Sequence, residues 1–166
     1  TANGKPLQNV GPIDSNFAKL QSKAGSLVKD IYDAQEKKHK ENLTRLQWDL
    51  DVHLKGLPKN ERTRQAYSIQ EIKKQLIGAT RIKRTIVNMA ESSKIQKIIA
   101  TASDKQARIE TAYREDIDGL RISYQKKLSS IIKDLESKNQ LTAAKQVKSE
   151  IAKSSAGVDA FIKLFK

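Results

Sequence analysis

The stretch IETAYREDIDGLRISYQKKLSSIIKDL, residues 109–135, carries the clearest pattern in the chain. Large side chains recur in it every three or four residues, at Ile109, Tyr113, Ile117, Leu120, Tyr124, Leu128, Ile131 and Leu135. This spacing places them on one face of a helix and leaves the other faces polar. The stretch therefore predicts a long amphipathic helix, which we expect to begin at the capping-box sequence SDKQ, residues 103–106.

A similar stripe runs through the first third of the chain, and Asp14 or Ser15 can cap the helix that it predicts. Its members are Phe17, Leu20, Ala24, Leu27, Ile31, Ala34, Leu43, Leu46, Leu50 and Leu54. The sequence KGLPKN, residues 55–60, should end this helix, with Gly56 in the left-handed conformation past the last turn.

A second stripe predicts a helix that starts near Asn60, with Gly78 in its interior. Its members are Ala66, Ile69, Ile72, Leu76, Ala79, either Ile82 or Lys83, Ile86 and Ala90. The helix either continues through Ile99 or breaks at Ser92 and Ser93, and we favour continuation. After the long third helix, Asn139 suits a left-handed turn, and residues 141–165 read as a shorter leg interrupted at SSAG, residues 154–157.

These patterns predict an all-α fold. We expect an elongated, antiparallel, up-down-up-down helical bundle or coiled-coil-like rod with three long helices and a shorter, broken fourth. Residues 1–13 contain Gly and Pro without periodicity and read as a flexible N-terminal arm. Residues 14–166 read as a single helical bundle domain.

Composition limits the chemistry available to the chain. The 166 residues include no cysteine, which excludes disulfides and thiolate chemistry. No apolar run is long enough to predict a transmembrane segment. The net charge is +13, and residues 61–100 hold nine basic and three acidic side chains. An anionic partner is therefore plausible, and its candidate contacts on the second helix are Arg62, Lys73, Lys74, Arg81 and Arg84.

The only metal-like motif is EKKH, residues 36–39, which has the Glu-x-x-His spacing of di-iron bundles. The other histidine, His53, lies about 20 Å further along the same helix, so the two cannot share an ion. We expect QEKKHKEN, residues 35–42, to be a solvated run with His39 exposed. The carboxylates Glu115, Asp116 and Asp118 read as a salt-bridged outer face, so no catalytic, cofactor or metal site is predicted.

Trp48 lies off the apolar stripe of the first helix. Two interpretations are open for this residue. Another helix covers the indole, or the indole is exposed as part of an interaction surface.

Residues 124–151 resemble a helical-hairpin module that recurs in bacterial proteins of unknown function, many of them exported. The positions that carry the resemblance are Tyr124, Leu128, Ile131, Leu135, Leu141, Ala144, Val147 and Glu150. The chain departs from the module at its turn, where Asn139 and Gln140 replace Gly-Asp. The resemblance implies a bacterial, extracytoplasmic origin, either periplasmic or secreted, and it implies no activity.

The sequence favours a non-enzymatic helical scaffold or interaction domain that binds a partner protein or an anionic surface. One alternative is a nucleic-acid-binding domain that uses the basic second helix. The other is a membrane-surface helical rod with FIKLFK, residues 161–166, as an apolar and basic foot.

Overall fold

The computed structural model describes residues 12–166. This part of the chain contains five α-helices, one 3₁₀ helix and no strand, which confirms the all-α prediction for it. The α-helices are α1 Ser15–Gly56, α2 Lys59–Leu76, α3 Ser93–Ser137, α4 Leu141–Ser155 and α5 Val158–Lys163. The 3₁₀ helix is Arg84–Met89. The predicted flexible arm lies outside the described residues, apart from Pro12 and Ile13.

Helix α1 begins and ends where its sequence predicts, but the conformation at its end differs. The Asp14 carboxylate caps it by accepting the backbone N–H groups of Asn16 and Phe17, each at 3.0 Å. The prediction for Gly56 is wrong, because this glycine has no positive φ. The Arg62 guanidinium instead donates to carbonyl oxygens at the end of the helix, so a side chain closes this terminus.

The prediction of three long helices is wrong, because α2 has only 18 residues. Its end is marked by Gly78, whose φ of +69° is left-handed and incompatible with a continuing helix. The chain then remains irregular up to the 3₁₀ helix, although Ile82 and Ile86 are both buried. The apolar spacing that resembled a helical stripe therefore belongs to residues 77–92, a folded segment without an α-helix, which we call the irregular segment.

Polar side chains of the helices satisfy the backbone of this irregular segment. The Gln106 amide accepts the Ile82 N–H at 2.7 Å and donates to the Ile82 carbonyl at 3.4 Å. Ser68 donates through Oγ to the Met89 carbonyl at 2.5 Å. Since buried backbone groups need partners, these side chains allow the irregular segment to pack into the core.

The predicted start of the third helix is also wrong. Helix α3 begins ten residues earlier, at Ser93, where the Ser92 hydroxyl oxygen accepts the Ile95 N–H at 3.3 Å. Neither alternative for the end of the second helix is therefore observed, because α2 already ends at Leu76 and Ile99 belongs to α3. Ser103 lies inside α3, and Gln106 of the supposed capping box binds Ile82 instead.

The C-terminal leg follows its prediction. Asn139 adopts a left-handed φ of 59° between α3 and α4, and Gly157, with φ +114°, separates α4 from α5. Both positions use residues that tolerate positive φ, which explains why the turns fall there.

The described helices form two compact units. Glu115–Lys166 and the residues up to Asp30 form the first unit, and Ile31–Arg114 forms the second. Each unit therefore takes one segment of α1 and one segment of α3. The single domain predicted for residues 14–166 stays a prediction.

Each unit buries its own apolar residues. The core of the second unit contains Leu43, Leu46, Leu50, Ile69, Ile72, Leu76, Ile82, Ile86, Ile95, Ile99 and Ala102. In the first unit, Tyr124 and Phe161 are almost fully buried and their ring centroids lie 5.5 Å apart. Phe165 packs edge-on against both rings, which anchors α5 and the end of the chain.

Candidate interaction surface

Most of the cations predicted to contact an anionic partner have partners within the chain. Lys73 binds Asp51 at 2.8 Å, and Lys74 binds Glu71 at 2.6 Å. Arg62 donates Nη2 to the carbonyl oxygens of Lys55 and Leu57, both at 2.9 Å. These three side chains are therefore already committed to intramolecular bonds.

Arg81 occupies the most constrained position of the predicted set. Its guanidinium binds Glu36 of α1 at 2.6 Å and Glu110 of α3 at 3.6 Å. The hydrogen bond from Arg81 lowers the pKa of Glu36 below its ordinary value, and the positive charge of Arg81 lowers it further. Arg84 is exposed and lies in the 3₁₀ helix.

The run QEKKHKEN is not the solvated stretch that the sequence predicts. Gln35, His39 and Asn42 are all buried, and His39 exposes only 2% of its surface. Asn42 donates Nδ2 to the Ala102 carbonyl at 2.8 Å, and Gln35 Nε2 lies 3.4 Å from His39 Nε2. A polar layer therefore replaces apolar packing on this part of α1.

The electrostatic surroundings of His39 favour the neutral imidazole. Burial lowers its pKa and the positive charge of Arg81 adds to this, while the carboxylates of Glu110 and Glu36 act in the opposite sense. Nδ1 is buried without a hydrogen-bond partner among the described residues. Proton uptake at His39 is consequently unfavourable in the folded protein.

The structure shows part of the salt-bridged outer face that the sequence predicts. Asp118 binds Arg121 at 2.8 Å, and Glu115 and Asp116 are exposed.

One buried carboxylate lies elsewhere in the first unit, at Glu150. Its Oε1 accepts the Tyr124 hydroxyl at 3.0 Å and the Gln21 amide at 3.2 Å. Burial, together with the neighbouring carboxylate, raises the pKa of Tyr124 far above its ordinary value. The tyrosine therefore stays protonated and acts as a fixed donor. Tyr124 and Glu150 are two of the positions that carry the resemblance to the helical-hairpin module, and they are thus hydrogen-bonded to each other.

Trp48 is the most exposed large hydrophobic side chain on α1, with 53% of its surface accessible. Arg45 stacks on it, with Cζ 4.4 Å from the ring centroid, and pairs with Asp49 at 3.0 Å. The exposure of the indole is therefore confirmed, whereas its part in an interaction surface stays a prediction. Val52, one turn further along, is 47% exposed.

A shallow depression of about 670 Å³ lies beside this indole. Its lining comes entirely from α1 and consists of Lys37, Lys40, Glu41, Thr44, Arg45 and Trp48. We call these six residues the Trp48 groove. The sequence offered a weak signal for it, namely a tryptophan placed opposite the apolar stripe.

Two classes of site are missing from residues 12–166. No group of three or more His, Asp or Glu side chains there could hold a metal ion. Within the same residues, every helix is too short or too polar to cross a bilayer.

Comparisons with known proteins add no relative to this description. No protein-family model, curated protein or solved structure matches the chain.

Proposed function

We propose that the protein is a non-enzymatic helical interaction domain that binds a partner protein or an anionic surface. The observation that carries the proposal is the exposed Trp48 in one groove with Lys37 and Lys40, which are exposed and form no ion pair within the described residues. Exposed aromatic rings flanked by cations are typical of binding surfaces.

Nucleic-acid binding is the second candidate, and the internal bonds of Arg62, Lys73, Lys74 and Arg81 weaken it. One observation still favours it. Lys83, Arg84, Lys94 and Lys97 are exposed, close in sequence and without an ion pair among the described residues. They could contact phosphates without breaking any recorded bond.

A membrane-surface role has less support. Phe161, the first residue of the predicted foot, is fully buried, and Phe165 packs against it. The aromatic rings of the foot therefore contribute to the core of the first unit. The proposal keeps two further elements from the sequence: an antiparallel arrangement of consecutive helices, and an origin in an exported bacterial protein.

A titration with fluorescently labelled duplex and single-stranded DNA tests the proposal. Contacts to phosphates release counterions, so nucleic-acid affinity should be weak and should vanish near about 150 mM salt if the charge is only a general feature. Submicromolar binding that persists at that salt concentration would refute the proposal and favour the nucleic-acid candidate.

A further inference from the structure

The Trp48 groove has the geometry of a helix-packing site. Lys37, Glu41 and Arg45 form one row with four-residue spacing, and Lys40, Thr44 and Trp48 form the next. The groove lies between these two rows. Rows of this spacing are the ridges that interdigitate in the commonest class of helix packing, with an interaxial angle of about −50°.

Charge and apolar surface are separated along the groove. Lys37 and Lys40 lie at one end, and Trp48 lies at the other, with the exposed Val52 one turn beyond it. Eleven residues separate Lys37 from Trp48, which corresponds to about 16 Å of helix. A complementary partner helix needs carboxylates at one end and apolar side chains about three turns away.

The stacking of Arg45 fixes the indole without covering it. Its guanidinium occupies one part of the ring and is itself held by Asp49, while about half of Trp48 stays exposed. A preorganised aromatic side chain binds a partner with a small loss of conformational entropy. The contact therefore prepares Trp48 for binding.

We propose that the Trp48 groove docks an acidic amphipathic helix of a partner protein. The apolar side chains of the partner pack against Trp48 and Val52, and its carboxylates pair with Lys37 and Lys40. This assignment rests on the proposed function and adds the surface and the chemical class of the partner.

The same residues argue against a nucleic-acid strand as the occupant. Glu41 lies in the middle of one row and Asp49 continues it, so two carboxylates would face a chain of phosphates. The groove also offers one aromatic side chain, whereas single-strand sites combine several stacking rings with a continuous basic track. A helix can place a neutral residue opposite Glu41, which a phosphate backbone cannot do.

Trp48 is the only tryptophan in the chain, so its fluorescence reports directly on the groove. The probe is a synthetic helix of about 18 residues built from Glu, Leu and Ala, without Trp or Tyr. A matched peptide with Lys in place of every Glu is the control. We expect a saturable blue shift of the Trp48 emission with the acidic peptide and none with the basic one.

Two sets of variants locate the binding with a labelled acidic peptide and fluorescence anisotropy. Lys37→Gln with Lys40→Gln should weaken binding about tenfold and flatten its salt dependence, and Trp48→Ala should weaken it by at least as much. The control is Lys126→Gln with Lys127→Gln, which removes two exposed cations of α3 and should leave affinity unchanged. All substituted positions are exposed, so the fold should survive, and circular dichroism verifies this.

The outcomes separate this inference from the proposed function. Acidic-peptide binding that is absent, or equally strong in the groove variants, overturns the assignment of the groove and leaves the proposed function standing. Quenching of Trp48 by a thymidine 20-mer at about 150 mM salt, with submicromolar affinity, overturns both.

Discussion

His39 is an imidazole held in the core without full hydrogen bonding. Only 2% of its surface is exposed, and its Nδ1 has no partner among the described residues. A buried and partly satisfied polar group lowers stability. Glu36 of its own helix, Arg81 of the irregular segment and Glu110 of α3 are the charged groups that act on it. Protonation would place a positive charge near Arg81 in this buried site.

The lowered pKa of His39 gives the stability of the protein a definite pH dependence. The unfolded chain binds a proton at His39 more readily than the folded protein does. The free energy of unfolding should therefore show no loss from His39 above about pH 6.5 and should fall as the pH drops below that value. The pKa of Glu36 is lowered from 4.5, so this carboxylate reduces the free energy of unfolding only when the pH falls below about 4.5. Urea denaturation from about pH 5 to about pH 8 measures the effect.

His39→Leu should remove the loss of stability between about pH 6.5 and pH 5, because no buried group then gains a proton. Lys126→Gln, at an exposed position, keeps His39 and should retain the slope of the wild-type protein. Parallel pH profiles for the wild-type protein and His39→Leu would contradict the assignment.

The error over His39 has a local cause in the sequence. The apolar stripe was drawn through Leu27, which is 38% exposed, whereas Val28 is buried. Steps of three, four or seven residues from Val28 reach 35, 39, 42, 46 and 50, all of which are buried. The sequence therefore contains the spacing of the core positions. The predicted stripe follows Leu27 instead of Val28, and this shift of one residue places His39 on the solvent side. The lysines that flank His39 in the sequence favour the same error. Tyr124 had no such competitor, and its burial was predicted.

At the scale of elements, two glycines that look alike in the sequence have different roles. Both lie within predicted helices, but Gly78 ends α2 with φ +69°, and Gly119 lies on the exposed side of α3. A methyl group would meet no heavy atom within 4 Å at either position. The backbone conformation alone therefore decides the effect of an alanine.

Gly78→Ala should lower the free energy of unfolding by about 1–2 kcal/mol, because an L-residue is strained at this φ. Gly119→Ala should raise it by about 0.5–1 kcal/mol, because alanine loses less conformational freedom in a helix. Chemical denaturation of both variants measures the pair. Stabilisation by both would mean that α2 continues through position 78.

The boundaries between residues 76 and 93 could not be predicted from local pattern. A helical stripe and a folded irregular segment both repeat apolar residues about every four positions, as Ile82 and Ile86 do. Contacts distant in sequence decide between them, since Gln106 binds the Ile82 backbone from 24 residues away. In contrast, the turns at Asn139 and Gly157 depend on local conformational preference, and their places were predicted.

At the scale of the whole molecule, the net charge of +13 comes from two groups of cations, those bound to other groups of the protein and those exposed to solvent. Arg62, Lys73, Lys74 and Arg81 stabilise turns and helix contacts. Their replacement would remove these internal bonds as well as any binding. The exposed cations Lys83, Arg84, Lys94 and Lys97 separate the two effects, and this distinction required the structure.

A variant with all four of these residues replaced by Gln therefore tests what the charge does. If each one contacts a phosphate, the slope of log affinity against log salt should flatten by about 3, since each contact contributes about 0.7–0.9. If the protein is an interaction domain, DNA binding should be weak at low salt. It should fall no more in this variant than in a control with Lys126, Lys127, Lys133 and Lys153 replaced by Gln.

The control removes the same charge from exposed positions in the first unit, so general Coulombic attraction weakens equally in both proteins. A titration of labelled duplex at about 50 and 150 mM salt compares them. Binding that survives 150 mM salt in the control but collapses in the variant of residues 83–97 would place a nucleic-acid site there. Equal and salt-sensitive losses agree with charge that acts only at long range, because no individual cation then holds a phosphate.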